Sequence, residues 1–291
     1  MIPGAFEYHA PSSVDEAVAL LDRLGDDAKV LAGGHSLVPA MRFRLAQPHY
    51  LVDINRIEGL SFIREDAEGL VIGALTRESD LEHSPLVTER YPLLADAGRV
   101  IADPLVRNRA TVGGNLAHAD PANDHPAVML AYGATMVARG PDGQRAIAAD
   151  DFFVGLFESA LAPNEILVEI RIPAPTAGSG GAYEKFERKV GDYAVSAAAV
   201  QLTLLGDVST AARIGLTNVS PVPMRAMEAE SALAGREVTD EVVEAAGQAA
   251  ARECDPSPDL RGSEAYKRDL TRILVKRAIR RAVQRAKGGA V

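Results

Sequence analysis

A single cysteine, Cys254, sets the tightest limit on how these 291 residues can be held together. Without a second thiol there is no internal disulfide, no CxxC pair and no cysteine zinc site. Iron–sulfur clusters take about four cysteine ligands, so this chain builds none, and any such centre it works with belongs to another polypeptide. The fold must rest on buried apolar surface. Hydrophobic residues make up 47% and charged residues 24%, enough for one large domain or two to three small ones. Lys and Arg total 31 against 40 Asp and Glu, and the resulting charge of −9 argues against nucleic acid as the main partner. No apolar run approaches the roughly 20 residues that span a bilayer. The opening MIPGAFEYHAPSS lacks the basic and apolar regions of a secretory signal, so the expected address is the cytoplasm.

Ser13-Val14-Asp15-Glu16 fits a capping box, and Val14, Ala17, Val18, Leu21 and Leu24 form one apolar helical face that Gly25 ends. An apolar run from Lys29 to Ala32 predicts a strand that breaks at Gly33-Gly34, and Tyr50 to Ile54 predicts a second. The opening is thus a small α/β unit. From about Gly59 to Pro173 the pattern is mixed, with a strand at Val71-Ile72-Gly73 and a helix over Pro92–Val100. Ile166, Val168, Ile170 and Ile172 alternate with Leu167, Glu169 and Arg171, the period of a half-buried strand. Pro173-Ala174-Pro175 and Gly178-Ser179-Gly180-Gly181 form the best linker candidate. The expected division is therefore 1–175, with subdomains of about 1–57 and 58–175, followed by 176–291. In the last part Tyr183–Leu205 and Ala211–Val219 predict strands, and Met224–Leu233, Asp240–Arg252 and Ser263–Ala286 predict helices. The final helix carries nine Lys or Arg from Lys267 to Lys287. It reads either as a patch for a partner or anionic surface, or as a solvated face whose charges suit its C-terminal dipole.

Two glycine loops carry the chemistry. Ala32-Gly33-Gly34-His35-Ser36-Leu37 follows a predicted strand directly. Paired glycines allow positive φ and close backbone approach, successive amides make a concave anion site, and Ser36 adds a hydroxyl. Arg109-Ala110-Thr111-Val112-Gly113-Gly114-Asn115 repeats the design, and Asp124 before Pro126 marks the start of a helix over Ala127–Tyr132. A lone glycine pair could be a plain turn. Two separated cradles suit a diphosphate gripped from both sides. Neither matches GxGxxG or GxxxxGK[ST], which argues against a Rossmann site or a P-loop.

These two loops resemble those of the FAD-binding subunits of molybdenum hydroxylases. The likeness continues through Ala182 to Ala194 and Ile214 to Val219, where it is nearest the medium subunits of the aerobic carbon monoxide dehydrogenase group. The resemblance implies an α+β fold: a two-part FAD-binding domain of the vanillyl-alcohol oxidase and p-cresol methylhydroxylase type, then a small α/β C-terminal domain. It implies non-covalent FAD, with Ala32, Gly33, Gly34, His35 and Ser36 and then Thr111, Val112, Gly113, Gly114 and Asn115 wrapping the diphosphate through backbone amides. Asp124 would accept hydrogen bonds from cofactor hydroxyls. Lys185 would stabilise reduced flavin, Tyr193 would pack near the ring, and Leu167 would give an apolar contact. For Tyr193 and Leu167, ordinary core packing is an equal alternative. The molybdenum cofactor and [2Fe-2S] clusters would lie in a large and a small partner subunit, in a doubled heterotrimer. Electrons would leave for an acceptor such as a quinone, with possible association at the inner membrane face.

Rival readings exist. His118, Asp120, Asp124 and His125 could suggest a metal site, but Pro121 and Pro126 break any helical register between them. His35 could bond flavin covalently, as in some wider relatives, although the molybdenum hydroxylase branch implies a backbone or supporting role. A molybdenum hydroxylase acting on an N-heterocycle or aldehyde, a stand-alone flavin oxidase, and a non-enzymatic nucleotide-binding module are the alternatives in function.

Overall fold

The computed structural model describes residues 2–289. Its first unit runs β1 (Glu7–His9), α1 (Val14–Leu24), β2 (Ala28–Leu31), α2 (Leu37–Arg42) and β3 (Tyr50–Asp53). The three strands form a parallel sheet in the order β1-β3-β2. Helix α1 starts where its capping residues direct, with Ser13 Oγ accepting the Glu16 amide. Glu16 reaches back one residue further than a capping box requires, accepting from the Ser12 amide at 2.8 Å. Gly25, at φ 60°, ends the helix.

The second unit begins with β4 (Ile63–Glu65) and β5 (Gly69–Gly73). Helices α3 (Glu78–Glu82), α4 (Pro85–Arg90), α5 (Pro92–Val100), α6 (Pro104–Arg107), α7 (Val112–His118) and α8 (Asp124–Tyr132) follow. It closes with β6 (Thr135–Gly140), β7 (Gly143–Ala148), α9 (Ala149–Phe152), β8 (Phe153–Gly155), β9 (Glu158–Ser159) and β10 (Ile166–Pro173). The main sheet is antiparallel, ordered β4-β5-β10-β6-β7. The expectation of a half-buried β10 holds only for its second half, where Arg171 is exposed between Ile170 and Ile172. Ile166, Leu167 and Val168 are all buried. A register shift between Leu167 and Glu169 explains this. The extra residue flips the alternation, so Leu167, Ile170 and Ile172 share the core beneath α5, α7 and α8, while Ile166 and Val168 face α1 and β3.

The third unit comprises β11 (Ser179–Phe186), β12 (Ser196–Leu205), β13 (Val208–Thr217), β14 (Met224–Arg225), α10 (Met227–Leu233), α11 (Asp240–Glu253) and α12 (Glu264–Ala286). Its sheet is an antiparallel meander in that strand order. Three expectations are corrected here. Ser179-Gly180-Gly181 is not linker but the start of β11, paired with Gln201 to Thr203. Gly180 is glycine because α12 crosses it: a Cβ there would lie 2.1 Å from Ala282 O. The predicted strand Tyr183–Leu205 is two strands separated by a loop, and α10 starts at Met227 because Met224 and Arg225 pair with β13. Much of the charge on the basic helix α12 is paired within the chain. Arg272 and Lys276 pair with Glu244 of α11, and Arg280 pairs with Asp240. Arg281 and Arg285 reach Asp96 of α5 at 2.9 and 2.6 Å, tying the third unit to the second. Among the described residues no helix is long and apolar enough to cross a membrane.

Candidate functional site

The two glycine loops meet where the first and second units join. The first loop leaves β2 and turns at Gly34, whose φ of 78° places it in the left-handed region that glycine tolerates. Gly33 is there because the second loop touches it: a Cβ would sit 2.5 Å from Arg109 O and 2.8 Å from Ala110 Cα. From Gly33 to Leu37 the five successive amides donate to no acceptor among the described residues. Amides aligned without partners form a concave donor array suited to an anion. His35 is exposed beside it, and Ser36 is partly buried.

The second loop differs, because four of its amides are already engaged within the chain. Val112 N donates to Thr76 O at 3.0 Å and Gly113 N to Ala74 O at 2.9 Å. Gly114 N donates to Thr111 Oγ1 at 3.1 Å, and Asn115 N to Thr111 O at 2.9 Å. The loop is thus the capped start of α7, held against the segment that follows β5. Gly113 serves close packing, since a Cβ would lie 2.5 Å from Ala74 Cβ. Gly114 lies outside the left-handed region. It keeps space beside Thr111 Oγ1 and faces Ala32 Cβ. Val112 points into the core. Two groups stay open among the described residues: Thr111 N donates to no acceptor, and Asn115 Oδ1 is buried without a hydrogen-bond partner.

The other expected residues lie at the junction with the third unit. Asp124, at the start of α8, accepts from Tyr183 Oη at 2.6 Å and from Lys185 Nζ at 3.0 Å. Burial pushes this carboxyl's pKa up, against the pull of Lys185, Tyr183 and His125. Lys185 also donates to Val100 O at 2.9 Å. Both side chains are almost fully enclosed. Tyr193 stays 44% exposed, with the Arg261 guanidinium over its ring. Burial of its hydroxyl and the neighbouring Asp120 charge raise its pKa. Leu167 is buried in the core of the second unit. The four residues weighed as a metal site do not converge: His125 meets Glu78 Oε2 at 2.8 Å, while His118 stacks on Phe157.

Two residues escaped the sequence reading. Arg77 donates to Arg109 O and to Asn55 Oδ1, both at 2.8 Å, and Asn55 Nδ2 donates to Ala32 O at 2.8 Å. Only the polar residue straight after the apolar strand, Asn55, hinted at this.

A donor array without acceptors, a contact between loops that admits only glycine, and an unpaired amide oxygen beside them fit the diphosphate end of FAD. The family described as the FAD binding domain in molybdopterin dehydrogenase matches residues 4–175, and the CO dehydrogenase flavoprotein C-terminal domain matches residues 181–282. The chain belongs to the FAD-binding subunits of the molybdenum hydroxylases. Within them it is similar to the carbon monoxide dehydrogenase medium chain of Hydrogenophaga pseudoflava, 52% identical over 97% of this chain and 98% of that one. The solved structure of that organism's carbon monoxide dehydrogenase superimposes with a TM-score of 0.96, covering 98% of this chain and 99% of the other. Quinoline 2-oxidoreductase from Pseudomonas putida gives 0.92 at 34% identity, covering 98% and 99%. The alpha subunit of the 6-hydroxypseudooxynicotine dehydrogenase complex of Paenarthrobacter nicotinovorans is 40% identical over 99% of this chain and 97% of that one.

Proposed function

We propose that the chain is the flavin-carrying relay of a molybdenum hydroxylase that oxidises carbon monoxide with water to carbon dioxide, releasing two electrons and two protons. The observation that carries the relay is the run of unpaired amides from Gly33 to Leu37, in a chain whose one cysteine cannot hold a cluster. The likeness to medium chains of carbon monoxide dehydrogenases supports the choice of substrate over N-heterocycles. Bound FAD supplies one- and two-electron chemistry, which suits a junction between single-electron clusters and an acceptor such as a quinone. The first loop donates amides to the diphosphate, and the second sets the wall against which it lies. Asp124 keeps acceptor capacity for a cofactor hydroxyl, because a carboxylate has about four acceptor sites. Lys185 holds its charge in place through Asp124, and Tyr193 covers the cofactor's open side. No side chain acts as acid or base on the carbon substrate.

The reading places the chain in the cytoplasm, against the inner membrane face, in a doubled heterotrimer with a large molybdenum subunit and a small iron–sulfur subunit. To test it, the chain alone is loaded with FAD and given carbon monoxide and a dye. It is expected to be silent until both partners are added, and acid precipitation is expected to release the flavin into the supernatant. Turnover by the lone chain at the rate of the complex would instead indicate a self-sufficient oxidase. A complex that turns over an N-heterocycle but not carbon monoxide would move the substrate to that class.

A further inference from the structure

We propose that Arg77 and Asn55 act as a clamp that sets the spacing of the two glycine loops, making them positioning residues for the cofactor diphosphate. The proposal rests on the reading of these loops as the FAD site. The clamp is a continuous chain of bonds across the joint. Arg77 Nη1 holds the Arg109 carbonyl of the second loop, and its Nη2 donates to Asn55 Oδ1. Asn55 Nδ2 then holds the Ala32 carbonyl of the first loop. Asn55 is itself fixed by Asp53, whose Oδ1 accepts from both Asn55 N at 2.9 Å and Asn55 Nδ2 at 2.6 Å. Asp53 Oδ2 accepts from Tyr8 Oη at 2.6 Å, so the anchor reaches β1.

The geometry turns this anchor into a cofactor contact. A trans peptide points its carbonyl and its amide in opposite directions. Holding Ala32 O towards Asn55 therefore aims Gly33 N–H, the first of the unpaired amides, away from the clamp and towards the open side. The planar guanidinium is the group for this task, because its fork donates along two fixed directions at once. Gly33 meets Arg109 O at the same joint, so a shift of either loop is felt by both. Arg77 also lies beside the like-charged Arg109, an arrangement that an anion bound between the loops would relieve.

The test uses the full chain stripped of flavin, with FAD and ADP as separate ligands, because ADP carries the diphosphate without the flavin ring. Arg77→Met and Asn55→Ala are each expected to weaken both ligands by the same factor, about tenfold to hundredfold. The double variant is expected to be no weaker than the worse single one, since breaking either link opens the clamp. Arg77→Lys keeps the charge but not the fork and is expected to recover only part of the loss. Unchanged affinities, strictly multiplying losses, or full recovery by lysine would overturn the clamp. Loss of FAD affinity with ADP binding intact would also overturn it. Gly33→Val serves as the control on the underlying reading: if that variant keeps its flavin, the loops are not the FAD site and the clamp falls with them.

Discussion

The two glycine loops look alike in sequence and do opposite work. Each pairs glycines with a hydroxyl and follows or opens an element, yet the first leaves five successive amides without acceptors while in the second the four from Val112 to Asn115 are engaged. The difference lies in what each loop packs against. The second runs along the segment that follows β5, where Thr76 O and Ala74 O take the amides of Val112 and Gly113 and Thr111 Oγ1 caps that of Gly114. The first leaves its sheet at a left-handed turn and has no such neighbour. One loop is a donor array and the other is its frame. A glycine motif thus marks a close approach, but only tertiary neighbours decide whether the approaching group is a ligand or more protein.

If this division holds, the most damaging change is the one that pushes frame and array apart. Gly33→Val places a branched side chain where a Cβ would already lie 2.5 Å from Arg109 O, a backbone atom with little room to yield. FAD affinity is expected to fall more than about a hundredfold, beyond the loss of one charged hydrogen bond. Absorbance of purified protein at the flavin bands checks this. Full occupancy would mean that the loops do not meet around the cofactor.

Next in size is a change confined to the frame. Gly113→Ala sets a methyl 2.5 Å from Ala74 Cβ and 2.6 Å from Ala74 O. Overpacking of this kind costs about 1–3 kcal/mol. The loss is expected in the flavin-free protein itself, as a lower midpoint in denaturant, with cofactor affinity following. A variant whose free form is as stable as the parent but which no longer binds FAD would place Gly113 in the donor array and end the distinction.

Much of the architecture was legible because its signals are local. Helix α1 begins and ends at its capping serine and its glycine, and Pro92 starts α5 as its fixed φ favours. The failures share one cause, which is that a partner distant in sequence decided the outcome. Gly180 and Gly181 looked like linker because glycine is flexible, but here it makes room for α12 and Leu93. The charges of α12 looked free because Asp96 and Glu244 lie far away along the chain. At the site, glycines, hydroxyls and Asp124 stood out by type, whereas the ownership of each amide, and the clamp of Arg77 and Asn55, emerged only with the fold.

The smallest expected effect gives the sharpest view of the comparison, because its two parts have opposite signs. Asn115 Oδ1 is an open polar atom in the framing loop, buried and without a partner. Such an atom costs about 1–3 kcal/mol while unpaired and repays it when a donor arrives. Asn115→Ala removes the unpaired oxygen, so the flavin-free protein is expected to be as stable as the parent or slightly more so. The same change removes an acceptor for the cofactor, and FAD affinity is expected to fall about tenfold, the worth of one hydrogen bond of average strength or a little more. Asn115→Asp keeps the shape but adds a negative charge near the diphosphate, and should weaken binding further, most at low salt where screening is least. Denaturant midpoints with and without FAD separate the two parts. If Asn115→Ala lowers the stability of the free form and leaves FAD affinity alone, the oxygen belongs to the frame and the second loop has no direct part in holding the cofactor.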